Sequence, residues 1–280
     1  MNFTAHKILQ FFVFLPLIYF GTFKAIAQEE EYNIPDAAIF DEMGTNLWVG
    51  SYNKFRIGEN LIWDAQHHYR RAGHDGVPFV GRMAQLYNRH AITYIFNKSF
   101  NATAGGVLRL DWTSSPGDET IENMILEPRF WHEYMFIMPY NRFMLYHRIR
   151  IEHRWTRPFD FDYEWTFRNR WRYKIYASIP LNKPRLEPGA WYMVPDIEII
   201  MQSGKSIVDN PLEDLRIYPQ IGYIVSPRLK IGGGPMYTTG QRSNPGGYQW
   251  RQRVVLRVNA YLSLDFRKFE NKIPEINLTD

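Results

Sequence analysis

The sequence predicts an all-β fold: a closed antiparallel up-and-down transmembrane β-barrel of about 12 strands, or alternatively about 10, after a cleaved signal peptide. Three observations lead to this prediction. Apolar and charged residues alternate with a period of two over long segments, which places them on opposite faces of a strand. No convincing helical pattern interrupts these segments, and the first residues have the character of a secretory leader.

The N-terminal segment has the parts of a signal peptide. Lys7 precedes the apolar run 8–23, and Ala25 to Ala27 form a small-x-small cleavage site. The alternative, an uncleaved membrane anchor, fits less well because the run is shorter than the ~20 residues of a spanning helix. The predicted divisions are a signal peptide over 1–27 with cleavage near Ala27, a short periplasmic segment over 28–44, a barrel over 45–269 and a polar tail over 270–280.

Composition and charge exclude several classes of protein. The chain has no cysteine, which excludes a lipid-modified N-terminal cysteine, disulfide bonds and thiolate metal sites. Its net charge of +4 falls to +2 without the two lysines of residues 1–27, too little for a nucleic-acid-binding surface. The mean hydropathy of −0.39 leaves a secreted soluble β-protein and an outer-membrane barrel, whose alternating strands are hidden in an averaged value.

Twelve alternating segments follow one another, separated by turn-rich pieces. The even number suits a bacterial barrel with both termini in the periplasm. The third and fourth segments are the least regular, because residues 82–87 could also begin a helix. The predicted strands are 45–56, 60–71, 79–88, 90–97, 101–112, 122–137, 142–156, 161–178, 190–202, 213–225, 228–239 and 249–266.

The connections between these strands alternate in length. The tight ones include 139–142 and 226–227, and the long ones, rich in Gly, Pro and Ser, are 113–121, 203–213 and 240–248. Long connections are expected outside the cell and tight ones in the periplasm. The connection 180–189 is long where a short turn is expected, and nothing in the sequence explains it.

The hairpin between Ile125 and Trp155 shows the two faces most clearly. Its apolar face carries Phe143, Leu145, Ile149, Ile151 and Trp155, and its charged face carries Arg148, Arg150, Glu152 and Arg154. A two-residue turn at Tyr140 and Asn141 would place opposite charges across from each other. The predicted pairs are Glu133 with Arg148, Arg129 with Glu152 and Glu127 with Arg154, while Trp131 lies across from Arg150. We therefore expect the charged face to neutralise itself.

Aromatic residues lie near the ends of many apolar stripes, as in the interfacial girdles of membrane barrels. The predicted girdle comprises Trp48, Trp63, Trp112, Trp155, Trp165, Trp191, Trp250 and Phe266. A soluble barrel with an apolar interior could carry the same alternation, but so many inward Trp and Tyr side chains would overfill it. Strands such as 142–156 and 161–178 also exceed both the ~9–11 residues of a membrane crossing and the ~5–6 of a typical soluble strand.

The charged face would line the lumen of such a barrel. The predicted luminal network consists of Glu127, Arg129, Glu133, Arg148, Arg150, Glu152, Arg154, Arg168, Arg170, Arg172, Glu198, Arg251, Arg253 and Arg257. One interpretation is a salt-bridged plug that closes the barrel, because unpaired charges in so confined a space are costly. The alternative is a narrow channel that prefers anions because rings of Arg line it.

No motif in the sequence supports an assigned reaction. His147 shares the apolar parity of its strand and would lie roughly opposite Asn169 or Trp171. A pair with Asn169 invites comparison with barrel phospholipases, but the position of their serine nucleophile is an isoleucine. His67 and His68 point to opposite faces of one strand and cannot share a metal ion. The run Gly232–Gly234 lacks the lysine and helix of a phosphate loop and indicates a bend. We expect no cofactor and no metal.

Several segments together resemble a known family. They are Met83–Arg89, Glu127–Arg129, His147–Trp155, Arg168–Tyr173 with Ile179–Leu181, and Arg216–Tyr223. Through these segments, most of the mature chain resembles an uncharacterised family of bacterial secreted proteins known only as a domain of unknown function. The resemblance implies an outer-membrane β-barrel without an assigned substrate or catalytic residue.

These patterns predict the location of the protein better than its activity. We expect a barrel in the cell outer membrane, with membrane lipids and the barrel-assembly machinery as partners and no nucleic acid. Phe266 or Phe269 would be the terminal aromatic residue of the closing strand that this machinery recognises. The expected role is structural or docking, with an anion-preferring channel and an outer-membrane lipid hydrolase as alternatives.

Overall fold

Alternating apolar and polar residues form long strands throughout the described part of the chain. The computed structural model describes residues 39–112, 124–160, 162–204, 211–242 and 249–267. Over these ranges, no helix is long and apolar enough to cross a membrane. The strands form one sheet that closes on itself, so the predicted all-β closed barrel is confirmed.

The sheet follows chain order, with each strand paired to the next. Its strands are β1 (Ile39–Phe40), β2 (Gly44–Arg56), β3 (Leu61–His74), β4 (Val77–Asn97), β5 (Phe100–Asp111), β6 (Ile125–Pro139), β7 (Met144–Pro158), β8 (Thr166–Pro180), β9 (Trp191–Ser203), β10 (Leu212–Ser226), β11 (Leu229–Arg242) and β12 (Gln249–Asp265). Neighbours from β2 to β12 pair antiparallel, and β2 also pairs with β12 to close the wall. The two-residue β1 pairs only with the start of β12.

The closed wall therefore has 11 strands, and the predictions of 12 and of 10 are wrong. The predicted strands 79–88 and 90–97 are one continuous strand, β4, of 21 residues. The chain does not turn at Arg89 because the residues on both sides of it continue the ladders with β3 and β5. Exposed and buried side chains alternate on both sides of Arg89. Such an alternating pattern gives no sign of whether the chain turns at that residue.

An odd strand number changes where the two ends of the wall lie. The first and last strands of an 11-strand wall run in the same direction, and the register from Gly44 opposite Arg253 to Arg56 opposite Asp265 is parallel. Gly44 and Asp265 consequently lie at opposite ends of the barrel. We name the end with Gly44 the loop end and the end with Asp265 the turn end. The expectation that both ends of the barrel segment face the same side is wrong, because it holds only for an even number of strands.

The hairpin of β6 and β7 has a different register from the prediction. Pro139 lies opposite Met144, so four residues and not two form the connection. The shift moves each residue of β7 by two positions, and Glu133 is directly opposite Arg150 instead of Arg148. Because a shift of two residues preserves the face of every side chain, the charged face still points into the barrel.

The long connection 181–190 has a structural role at the turn end. Ala190 is 0% exposed, and Leu186 packs against a cluster of buried residues inside the barrel. Backbone hydrogen bonds hold the connection in place: the Gly189 amide donates to the Ile224 carbonyl, and the Ile224 amide donates to the Ala190 carbonyl. The buried residues of this apolar plug are Ile62, Ile95, Met135, Ile137, Tyr146, Tyr176, Ala190, Tyr192, Val194 and Ile224. The connection is long because it helps to close this end of the lumen.

The glycine run of the sequence lies within β11. Gly234 has a φ of +152°, a conformation that favours glycine, and a Cβ at Gly233 would lie 2.5 Å from the Arg257 carbonyl oxygen. On the next strand, a Cβ at Gly222 would lie 2.3 Å from the Tyr192 ring. These glycines let the wall and the luminal aromatic rings approach closely, as expected at a bend in a sheet.

Candidate functional site in the barrel lumen

The inward-facing charges form a buried salt-bridge network, as the sequence predicts. Glu127 lies at its loop-end side and accepts hydrogen bonds from three arginines. The distances to Glu127 Oε2 are 2.8 Å from Arg109 Nη1 and 2.9 Å from Arg154 Nη2, and Arg129 Nε donates to the other oxygen. Glu127 is 1% exposed, so its charge depends on these arginines for stabilisation.

Glu152 is the centre of the network. Its carboxylate contacts Arg129 at 2.8 Å, Arg170 at 3.3 Å and Arg172 at 2.8 Å, and its side chain is fully buried. Arg170 also contacts Glu213, a luminal residue that the sequence pattern missed. A bulge between Leu212 and Asp214 explains the omission, because it breaks the alternation on which the prediction depends.

The turn-end side of the network is built on two further carboxylates. Glu198 contacts Arg148 and Arg172, each at 2.8 Å, and Glu133 contacts Arg150 at 2.5 Å and Arg148 at 3.5 Å. All three ion pairs predicted for the hairpin are therefore present. They join diagonal neighbours instead of directly opposite residues, since the register is shifted but the faces are unchanged.

The remaining predicted luminal residues lie toward the loop end or near the middle. Arg251 is 3.7 Å from Asp214, and Arg253 lines the same region. Arg168 Nε is buried without a hydrogen-bond partner. Arg257 donates to Tyr52 Oη at 2.9 Å.

The lumen narrows from the loop end to the turn end. Among the described residues, a vestibule of about 370 Å³ at the loop end is lined by eight arginines and two carboxylates, Glu213 and Asp214. A central cavity of about 80 Å³ follows, and a space of about 10 Å³ lies between it and the apolar plug. Considering only the described residues, which leave out the loop-end connections 113–123, 205–210 and 243–248, the lumen is open toward the loop end and filled toward the turn end.

The aromatic residues of the predicted girdle lie in three places. Trp63, Trp191 and Phe266 are exposed at the turn end, where Phe55 stacks on Phe266 at 5.6 Å and contacts Trp63 at 5.0 Å. At the loop end, Trp155 and Trp165 are exposed, while Trp112 and Trp250 are half-buried.

Trp48 does not belong to a girdle. Its ring lies inside the barrel, 9% exposed, with the Arg70 guanidinium 3.6 Å from the ring centroid. It shares the parity of Asn46 and Tyr52, which are also buried in the lumen. Position near the end of a strand was therefore a poor guide to its orientation.

The outward-facing histidines are paired differently from the sequence expectation. His153 Nδ1 lies 2.7 Å from Asn169 Oδ1, whereas His147 Nδ1 lies 2.7 Å from Tyr173 Oη. His132 stacks on His153 with ring centroids 5.6 Å apart. No serine belongs to this constellation, so the His147–Asn169 site of the hydrolase hypothesis is not formed.

A second outward-facing row was missed by sequence reasoning. Ser51 on β2 lies directly opposite His67 on β3, and His67 lies directly opposite Asn88 on β4. The Ser51 hydroxyl donates to Asn53 Oδ1 at 3.2 Å, and the His67 ring is edge-on to His90. The row lines an apolar groove of about 970 Å³ on the outer wall. Only strand register brings these residues together, since they are far apart in sequence.

Comparison with known proteins gives one match. A family model described as a protein of unknown function (DUF2490) matches residues 45–270, which contain the closed wall except for Gly44, the first residue of β2. The chain belongs to the DUF2490 family. No curated protein and no solved structure matches the chain. The resemblance to a domain of unknown function is thereby confirmed, and membership in DUF2490 assigns no substrate or catalytic residue.

Proposed function

We propose that this DUF2490 protein is an outer-membrane β-barrel that is sealed to solute flow and has a structural or docking role. The observation that carries the proposal is the polarity of the wall. Its outward face is mainly apolar between two aromatic bands, apart from the histidine, asparagine and serine side chains described above, while its charges point into the lumen. A soluble barrel would place its charges on the opposite face, and lipid-facing apolar stripes bounded by aromatic residues are typical of membrane barrels.

The inside of the barrel favours the sealed form over the anion-preferring channel. Tyr146 and Tyr176 stack 4.6 Å apart within the apolar plug, and both are at most 2% exposed. The salt-bridge network fills the lumen next to this plug. A solute would have to displace both layers, whereas a selective channel needs a continuous path.

The lengths of the connections give the orientation. Four connections at the turn end have two to four residues, and barrels of this class have short turns in the periplasm. The turn end then faces the periplasm, with the C-terminal strand end available to the assembly machinery. In this orientation Gly44 lies at the extracellular end of the barrel, and not in the periplasm as expected from the sequence. We also retain the signal peptide with cleavage near Ala27 as part of the proposal.

Two measurements on cells test location and orientation. The protein is expected to fractionate with the outer membrane and to migrate differently on gels before and after boiling. The cysteine-free chain also permits single-cysteine labelling. Asp75→Cys, in the loop-end turn between β3 and β4, should react with an impermeant maleimide in intact cells, and Lys98→Cys at the turn end should react only after lysis.

The same proposal predicts that the protein conducts no ionic current. Purified protein in planar bilayers should give no defined current steps. Steps of a fixed size would overturn the sealed barrel and favour the channel. Recovery of the protein in the soluble periplasmic fraction, with no shift on boiling, would instead overturn the membrane location.

The row on the outer wall favours a second candidate function, acyl-ester hydrolysis. Ser51 would be the nucleophile, His67 the base and Asn88 the residue that orients the imidazole, in a groove that accommodates an acyl chain. The Ser51 oxygen would attack the ester carbonyl while His67 takes its proton and passes it to the departing alcohol. Water would then release the fatty acid and restore Ser51. This reaction requires the Ser51 hydroxyl to leave Asn53 and bond to His67.

The prediction for this candidate is a serine-dependent activity. Wild-type protein should release fatty acid from phospholipid in mixed micelles and react with a fluorophosphonate probe, and Ser51→Ala should lose both by at least about 100-fold. Ser263→Ala, which changes an exposed serine on β12, serves as the matched control. Absence of turnover and of labelling in the wild type would contradict the candidate.

A further inference from the structure

The central cavity of the lumen has an excess of positive charge. Nine arginines and one lysine line it, against two carboxylates, Asp196 and Glu198. Its volume of about 80 Å³ has room for a few water molecules or one small anion. Trp48, Arg70, Tyr87, Arg170 and Arg216 line both this cavity and the vestibule, so the two spaces adjoin and the cavity faces the loop end.

Most of these cations are paired with carboxylates. The paired ones are Arg129, Arg148, Arg150, Arg170, Arg172, Lys174 and Arg216. Three others, Arg70, Arg89 and Arg257, contact no carboxylate among the residues that the structure describes. They are the distinguishing feature of the cavity.

The three arginines contact only neutral groups in the described structure. Arg70 donates to Gln85 and Tyr87 at 3.1 and 3.2 Å, and Arg89 donates to Gln66 at 3.4 Å. Arg257 donates to Tyr52 and lies over the Tyr218 ring, with 4.4 Å between its guanidinium carbon and the ring centroid. Neutral partners satisfy some of the N–H groups. The carboxylates of Glu152 and Asp196 act on Arg89 and Arg257, respectively, only from beyond salt-bridge distance.

Several buried side-chain nitrogens around the cavity also have no hydrogen-bond partner. The Nε atoms of Arg70, Arg89 and Arg257 are buried without a hydrogen-bond partner, and so is His68 Nε2. Arg89 is only 7% exposed. All three arginines are near enough to His68 for electrostatic interaction. Buried charges and buried donors of this kind are costly unless something pairs with them.

We propose that the central cavity binds a tetrahedral oxyanion, the phosphate group of inorganic phosphate or of a small organic phosphate. Arg70, Arg89 and Arg257 supply the compensating charges, and planar guanidinium groups match the oxygens of phosphate. The vestibule has space for the remainder of an organic phosphate. The proposal concerns the lumen alone and is independent of whether the barrel lies in a membrane.

Calorimetric titration of the purified full chain in detergent at low salt tests the site. The probes are inorganic phosphate and glycerol phosphate, with chloride at equal ionic strength as the reference. Arg70→Gln and Arg89→Gln should each weaken phosphate binding by about tenfold or more, because each removes a charged hydrogen-bond donor. Arg71→Gln is the matched control. Arg71 follows Arg70 on β3, but its guanidinium contacts Tyr69 Oη and the Val80 carbonyl and does not line the cavity.

A second readout separates binding from a purely structural role. Without phosphate, Arg89→Gln should keep or raise the thermal midpoint, because it removes a buried charge that no described carboxylate contacts. With phosphate, the wild type and Arg71→Gln should be stabilised and Arg89→Gln should not. Equal stabilisation of all variants, or the same effect with chloride, would overturn the proposal. Binding of inorganic phosphate alone would identify the free ion as the ligand, and tighter binding of glycerol phosphate would identify an organic phosphate.

Discussion

Glu152→Gln is expected to lower the free energy of unfolding by about 3–5 kcal/mol, as when one partner of a buried ion pair is removed. Glu152 is fully buried and lies within 3.3 Å of three guanidinium groups, those of Arg129, Arg170 and Arg172. The glutamine keeps the shape of the side chain but removes the charge that these cations share. Urea unfolding of the protein in phospholipid vesicles, followed by tryptophan fluorescence, measures the change.

Two variants make this result interpretable. Glu187→Gln removes an exposed carboxylate that pairs with Lys183 at the surface, and its effect should stay below about 1 kcal/mol. Glu152→Gln combined with Arg172→Gln removes one cation together with the anion and should recover part of the loss. If Glu152→Gln unfolded at the same urea concentration as the wild type, the network would not contribute to stability.

Tyr176→Ala is expected to cost about 3–5 kcal/mol, as for other large-to-small changes in a packed core. Tyr176 is 2% exposed, stacks on Tyr146 with ring centroids 4.6 Å apart and donates to Met135 Sδ. The truncation would leave a cavity in the apolar plug at the turn end. The same unfolding measurement applies.

Tyr163→Ala is the control for this change. Tyr163 is 57% exposed in the connection before β8, so its truncation should alter the free energy of unfolding by less than about 1 kcal/mol. Equal stability of the Tyr176 and Tyr163 variants would show that the plug is not packed as the structure describes.

The strand count shows where sequence patterns lose information. Exposed and buried side chains alternate in β4 from Leu86 to Phe96, on both sides of Arg89, and this pattern would be the same whether or not the chain turned there. A turn would have reversed the direction of every later strand relative to β2, so this one error also placed Gly44 and Asp265 at the same end of the barrel. Polarity with a period of two reports the faces of a strand, but it contains no signal for strand direction.

In the hairpin of β6 and β7, by contrast, an error in the predicted register left the predicted ion pairs intact. The predicted turn was two residues too short, yet Glu127, Glu133 and Glu152 still contact their predicted arginines. Side chains of arginine are long enough to reach a diagonal neighbour as well as a direct one. A shift of one residue would have moved every charge to the outer face.

The residue pattern along each strand is enough to predict the two faces of the wall and the all-β class, because both depend on neighbouring residues of one strand. The folded structure was needed to learn which strands adjoin, that 11 of them close the wall, and that connection 181–190 fills the turn end. It also brought Arg70, Arg89 and Arg257 around one cavity with no carboxylate contact among the described residues. These features depend on pairing between residues far apart in the chain. Local alternation specifies the face of each residue, whereas register and closure are set by the packing of the whole barrel.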